Sequence, residues 1–346
     1  GNGSLRACIE EANQIAGTQT ITFSISNATI SPTSQLPSLS DSTGGTIIDA
    51  TGQNITIDGS SCGECYGFEI TSANNQIKGL TIINFSSTNY AGVRISGLGA
   101  NGNKISGCKI GNDGTTAYGN YYGIRIDSSA ASNIIGGTTP AERNIISGNI
   151  STGMIIEDSI SNNNQVKGNY IGTDMNGISA LGNGGSGVSI LSGASSNIIG
   201  GTTAGERNII SGNWYGIDIS GSGTSNNVVK GNYIGTDVNG SSALENWYGI
   251  YIGNSAGSNI IGGTTAGEEN LIAFNNLDGI VVEGASTDFN KISGNRIHSN
   301  GGLGIDIGVD GVGTGGNGAN NDIEPPVITS VTITGTNTYR IYGTAT

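Results

Sequence analysis

The sequence predicts an all-β solenoid: a parallel β-helix of three strands per coil, with a short helix over its first end. The first observation is a Gly-apolar-x-apolar motif at Gly67, Gly92, Gly123, Gly153, Gly187, Gly216, Gly249, Gly279 and Gly304, spaced by 25 to 34 residues. The second is an Asn-x-apolar-x-Gly motif between its copies, at Asn75, Asn103, Asn133, Asn164, Asn197, Asn227, Asn259 and Asn290. The third is an asparagine just ahead of the glycine motif, at Asn120, Asn149, Asn183, Asn213, Asn246, Asn275 and Asn300. Three series in phase mean a repeat architecture. Their short alternating Ile/Val segments, divided by Gly, Asn, Ser and Thr, read as strands. A propeller blade needs four antiparallel strands, and a leucine-rich repeat has a shorter unit with its own Leu spacing. Three strands per unit with variable loops describe a β-helix. Eight or nine coils stacked at about 4.8 Å make a rod on the order of 40 Å long.

Taken in chain order, residues 1–19 hold the capping helix. Ser4 is a good N-cap, and Leu5, Cys8, Ile9, Ala12 and Ile15 share one face. Such a helix covers a solenoid end whose strand edges would otherwise pair with other chains. Residues 20–310 are the β-helix, with Thr20 to Ser61 as its less regular first coils. Stacked asparagines hydrogen-bond along the axis as amide ladders and suit the left-handed backbone of a sharp corner. Glycines serve positive φ or close packing. NIIGGTT at Asn133, Asn197 and Asn259 alternates with KGNYIGTD at Lys167 and Lys230, so a coil pair is the larger unit. Residues 311–346 read as a linker, marked by Pro325-Pro326, then an alternating stretch that is a last strand pair or the opening of a following β-sandwich. The alternation runs to Thr346, so the chain reads as a mature piece of a longer protein.

Composition narrows the partners. The 346 residues include 61 glycines, yet they lack the Gly-X-Y period of collagen. With 26 acidic against 13 basic residues the net charge is −13, which disfavours nucleic acid and anionic membrane, and weakly disfavours acidic glycans. No apolar stretch approaches a membrane span.

GSLRACIEEAN, TITFSI, TIIDATGQ-ITIDGS and the reiterated NxIxGN and GIxI segments together resemble the right-handed parallel β-helix repeat proteins of microbial cell surfaces, over roughly residues 1–330. The resemblance implies a secreted or surface-attached, adhesin-like protein with further domains. The wider β-helix class includes polysaccharide lyases, glycoside hydrolases and epimerases, but no catalytic signature of one such family is matched here, and fold does not deliver function.

Candidate chemistry follows from strand alternation. The x of each Gly-apolar-x-apolar motif points outward, as does the residue after the motif. One outward column runs Glu69, Arg94, Arg125, Ile155, Ser189, Asp218, Tyr251, Val281, Asp306. The next holds Asp127 beside Glu157, with carboxylates about 5 Å apart, the separation of a retaining glycosidase pair. Trp214-Tyr215 and Trp247-Tyr248 precede adjacent coils, and with Arg94, Arg125, Asp218 and Tyr251 they form a candidate glycan-binding face. The competing reading is a sheet-stabilising ring column and an ordinary Arg125–Asp127 ion pair.

Other candidates carry less. His298 lies in a turn-like context with no nucleophile motif near it. Asp174-x-Asn176-Gly177 and Asp237-x-Asn239-Gly240 begin like calcium loops but lack the later ligands, and Asx turns account for them better. Gly315 to Asp322 is one imperfect calcium nonapeptide. No cofactor is implied; calcium fits a partial pattern, and zinc at the Cys62–Cys65 loop fits less well than a disulfide or free thiol, because no His lies near. Cys8, Cys62, Cys65 and Cys108 allow three disulfide pairings, the Cys62–Cys65 loop closing on itself being one local option.

Two functions fit. The first is an extracellular structural or adhesive module that contacts a neutral polysaccharide or cell-surface glycan. The second is a polysaccharide-active enzyme of glycoside hydrolase type, with Asp127 and Glu157 as its paired carboxylates. A lyase fits less well, because only Arg94 and Arg125 would neutralise a uronate on this face.

Overall fold

A computed structural model describes residues 3–308, Ala319 and the backbone of the strands Val327–Gly335 and Thr338–Thr344. Strand order establishes the architecture: two ten-stranded sheets and one nine-stranded sheet, each entirely parallel, with every strand paired to its equivalents in the coils before and after. The chain therefore winds as a three-sheet parallel β-helix, in the right-handed sense that connections between parallel strands take in nearly all proteins. Ten rungs stack, more than the glycine motifs suggest, because the first coil lacks the motif. Its strands Gln19–Thr22 and Thr29–Ile30 open the first and second sheets, while Leu39 joins the third only by a single bridge to Ile70.

The core is a continuous stack of inward aliphatic side chains, among them Ile48, Ile77, Ile105, Ile135, Val166 and Ile199. The helix Leu5–Ala12 closes the first end, with Ser4 Oγ accepting from Ala7 N at 3.2 Å and Leu5, Ile9 and Ala12 buried. Arg6 Nη1 donates to Gln35 O at 2.8 Å and ties the helix to the first coil. The helix is shorter than the apolar spacing suggests: Asn13 is its C-cap, so Ile15 lies past the last turn and is 46% exposed.

Each corner carries an asparagine ladder. One runs from Asn75 to Asn290 and one from Asn120 to Asn300, each amide donating to the Oδ1 of the next coil, as Asn103 does to Asn133 and Asn183 to Asn213. A third, which the sequence reading missed, joins Asn144, Asn169, Asn208, Asn232, Asn270 and Asn295. None of the ladder asparagines is left-handed. Positive φ falls instead on the residue before many of them, such as Asn163 (56°), Ser196 (57°) and Gly168 (71°). The ladder asparagine thus stays outside the left-handed region, and its neighbour makes the bend. The motif glycines serve close approach: a Cβ on Gly123 would stand 2.4 Å from Gly153 O.

At the far end, Val327–Gly335 pairs antiparallel with Thr338–Thr344. The Pro325-Pro326 linker and the nonapeptide-like segment lie outside the described residues, apart from Ala319. Among the described residues no helix is long and apolar enough to cross a membrane.

Candidate functional site

The strands of the third sheet and the residues that flank them carry the candidate carboxylates, arginines and rings, and register aligns them as strand alternation predicts. Glu69 pairs with Arg94, Arg94 with Arg125, Arg125 with Ile155, Ile155 with Ser189, Ser189 with Asp218, and Asp218 with Tyr251. Glu157 N donates to Ile126 O at 3.0 Å, which sets Glu157 beside Asp127 in the neighbouring column.

The early coils gather the charges. Arg94 grips Asp127 with two contacts, Nε–Oδ2 at 2.9 Å and Nη2–Oδ1 at 3.1 Å, and reaches back through Nη1 to Glu69 Oε1 at 3.1 Å. Ser38 Oγ donates to the other Glu69 oxygen at 2.7 Å, and the Arg94 guanidinium lies 5.1 Å over the Tyr66 ring. Arg125 Nε stands 2.9 Å from Asp127 Oδ2 and 2.7 Å from Glu157 Oε1. Its N–H is aligned with neither, so the attraction there is between charges rather than through a hydrogen bond. Sharing one nitrogen, the two carboxylate oxygens can stand no further apart than those two contacts laid end to end. The pair is therefore assembled, as the column reading expects.

The face is not open in the way that reading implies. The Asp127 side chain is only 1% exposed, because long side chains fold across coils, as Arg94 does toward both Glu69 and Asp127. Burial opposes the Asp127 charge, but the hydrogen bonds from Arg94 and Ser96 and the two guanidinium charges outweigh it and hold the carboxyl below its usual range. Glu157 moves the opposite way: burial, with the charges of Asp158 and Asp127, outweighs Arg125 and raises it. Opposed shifts in adjacent carboxyls are the pattern of an acid and a charged partner. Here both oxygens of the more acidic member are held by guanidinium groups in a side chain only 1% exposed, so a substrate would have to displace an arginine to reach them.

The later coils gather the rings. Trp214 and Trp247 stack with centroids 5.2 Å apart and planes 10° from parallel. They are 49% and 42% exposed. Behind them Tyr215 stacks on Tyr248 at 5.4 Å and meets Tyr251 at 5.3 Å. The Tyr251 hydroxyl donates to Glu283 Oε2 at 2.9 Å, and burial together with that carboxylate raises its pKa. Asp218, one coil before Tyr251, is pushed up to about 6 by burial, against a smaller opposing hydrogen bond from Ser220. Sequence reasoning missed the role of Glu283, although its place in the Asp127 column marks it as outward.

The remaining candidates are accounted for locally. Asp174 Oδ1 accepts from Ile178 N and Ser179 N at 2.9 and 3.1 Å, and Asp237 Oδ1 from Ser241 N and Ser242 N at 2.9 and 3.0 Å, so both carboxylates brace their own loops. Cys62 and Cys65 form a disulfide, while Cys8 and Cys108 are free. Burial pushes the Cys108 thiol up to about 12. His298 ends the strand Arg296–His298 rather than lying in a turn, with Nδ1 3.2 Å from Ser299 Oγ.

No family model and no curated protein matches the chain. Among solved structures it is similar to a mutant of the periplasmic alginate epimerase AlgG, with 18% identity and a TM-score of 0.45 over 76% of this chain and 58% of that one. It is also similar to the PL6 family polysaccharide lyase Pedsa3628 from Pseudopedobacter saltans, with 12% identity and a TM-score of 0.44 over 91% and 80% of the two chains. The Dettilon tailspike protein matches with 18% identity and a TM-score of 0.31 over 86% and 63%. The present chain thus spans little more than half of the epimerase. Its own strand pairing, rather than these likenesses, establishes the β-helix.

Proposed function

We propose that this chain is a non-enzymatic structural or adhesive module of an extracellular, cell-surface protein, and that it holds neutral glycan on the third-sheet face. The observation that carries the reading is the pair of parallel, half-exposed indoles of Trp214 and Trp247, backed by Tyr215, Tyr248 and Tyr251. Large exposed rings with polar edges suit the apolar faces and hydroxyl rims of sugars. The net charge of −13 favours a neutral chain over an acidic one. Asp218 and the Arg94–Arg125 cluster supply polar groups along the same face. The rod contributes stiffness, since its three amide ladders fasten each coil to the next.

A second reading, hydrolysis by Asp127 and Glu157, is favoured by their opposed pKa shifts. It ranks lower because a nucleophile needs an oxygen facing substrate, and Asp127 turns both toward arginine. A glycan array followed by reducing-sugar assay of each hit separates the two. Binding without product, weakened at least tenfold when both Trp214 and Trp247 are replaced by Ala, is the expected result. Product release that disappears in both Asp127→Asn and Glu157→Gln would establish the enzyme instead.

A further inference from the structure

The aromatic column on the third-sheet corner ends abruptly. Backbone hydrogen bonds define the successive levels there: Gly185 N donates to Ser151 O at 2.8 Å, Trp214 N to Gly185 O at 2.9 Å, and Tyr248 N to Trp214 O at 2.9 Å. Trp247 lies at the last of these levels and covers one face of the Trp214 indole. The other face therefore points at the level of Gly184 and Gly185, which put no side chain against it. One level further on stands Ile150, itself 53% exposed. Successive levels are about 4.8 Å apart. A missing rung thus leaves roughly twice that distance between the levels of Ile150 and Trp214, room for one ring in van der Waals contact on both sides.

We infer that the rung left empty by Gly184 and Gly185 is a subsite for a single neutral pyranose ring, stacked on the free face of Trp214 and walled on the other side by Ile150. This rests on the glycan-binding reading and deepens it by fixing where and how a sugar sits. Trp214, Ile150, Gly184 and Gly185 carry no charge, so the site selects an uncharged ring over a uronate. The glycines are needed here for the space above them and for the backbone: a Cβ on Gly184 would meet Ile150 O at 2.2 Å, whereas one on Gly185 meets Thr152 Oγ1 at 3.2 Å. Gly185 therefore accepts a side chain with a small adjustment, which makes it the position for a test.

The probes are cellohexaose, laminarihexaose and mannohexaose, titrated calorimetrically into the full chain. Binding of at least one is expected. Trp214→Ala, Gly185→Leu and Ile150→Phe should each weaken it tenfold or more, the last two by filling the rung. Trp247→Ala should weaken it less than threefold, since it removes only the covered side of the stack. Ile150 is exposed, so its variant does not depend on how Gly185→Leu folds. Equal losses in Trp214→Ala and Trp247→Ala, with neither rung-filling variant having an effect, would overturn the subsite and leave the glycan reading standing. A wild-type chain that binds none of the three would overturn both.

Discussion

Asp218 and Asp127 occupy neighbouring outward columns of one sheet, yet their surroundings drive them apart. Asp127 has two guanidinium groups, whereas Asp218 has a buried Oδ1 with no hydrogen-bond partner among the described residues and a pKa raised from 3.8 to about 6. A carboxyl that titrates higher in the folded chain than in the unfolded one binds more protons when folded. Its contribution is therefore full below about pH 4 and is lost as the pH rises through about 6, a swing on the order of 3 kcal/mol. Asp218→Asn should remove that swing: the variant should unfold at higher urea than the parent at pH 7 and match it near pH 4. A constant difference from pH 4 to 7 would contradict the assignment. Asp127→Asn has the opposite sign. It strips the counter-charge from two half-buried arginines and should destabilise by about 3 kcal/mol, whereas Glu157→Gln, at the rim of the cluster, should lose less than about 1 kcal/mol. Urea unfolding of the two variants decides this, and equal losses would refute the ranking. The register of these residues was legible in the sequence, because period-two alternation and stacked repeats fix which positions face outward. Their accessibility was not, because it depends on how Arg94 and Arg125 fold across the coils.

The ladder is the element that couples one coil to the next. Asn164 illustrates it: Oδ1 accepts from Asn133 N and Nδ2, each at 3.0 Å, and Nδ2 donates to Asn197 Oδ1 at 3.0 Å and to Ala130 O at 3.2 Å. Removing a fully buried group of this kind strands partners on both sides, and each stranded partner costs about 1–3 kcal/mol. Asn164→Ala should therefore destabilise by at least about 3 kcal/mol in urea unfolding. Its exposed neighbour Asn163 has φ 56° and takes the bend, so Asn163→Gly should change stability by no more than about 0.5 kcal/mol. Similar losses at both positions would mean that the ladder bonds contribute little beyond corner geometry. Two ladders were readable because each asparagine sits at a fixed offset from a conspicuous motif. The third was hidden by the double period: from Asn144 to Asn295 its members are separated alternately by 24–25 and 38–39 residues. A coil-pair duplication with unequal loops breaks the single spacing that the eye follows, while the stacked backbone restores it in space.

At the scale of the whole molecule, the ten stacked rungs span roughly 43 Å at the parallel-strand spacing, and almost every contact reaches only the next coil. Such a chain behaves as a one-dimensional array, in which stability is the sum of units and nearest-neighbour interfaces. Damage at one end should then stay there. Ile9 is fully buried where the helix Leu5–Ala12 meets the first coil, so Ile9→Asp places an unpaired charge under the cap and should release the helix. The strand Gln19–Thr22, paired on one side only, to Thr46–Asp49, would then lose its cover. Native-state hydrogen exchange should report at least a tenfold loss of protection in Gln19–Thr22 and a smaller loss in Thr46–Asp49. Val188–Leu191 and Tyr215–Ser220, several coils away, should be unchanged. Uniform loss across all these strands would mean that the rod unfolds as one cooperative body, and the glycan face of the later coils would then depend on the cap as much as on its own rungs. Loss of protection confined to the first coils would mean that the face can be altered, or its empty rung filled, without disturbing the rest of the rod.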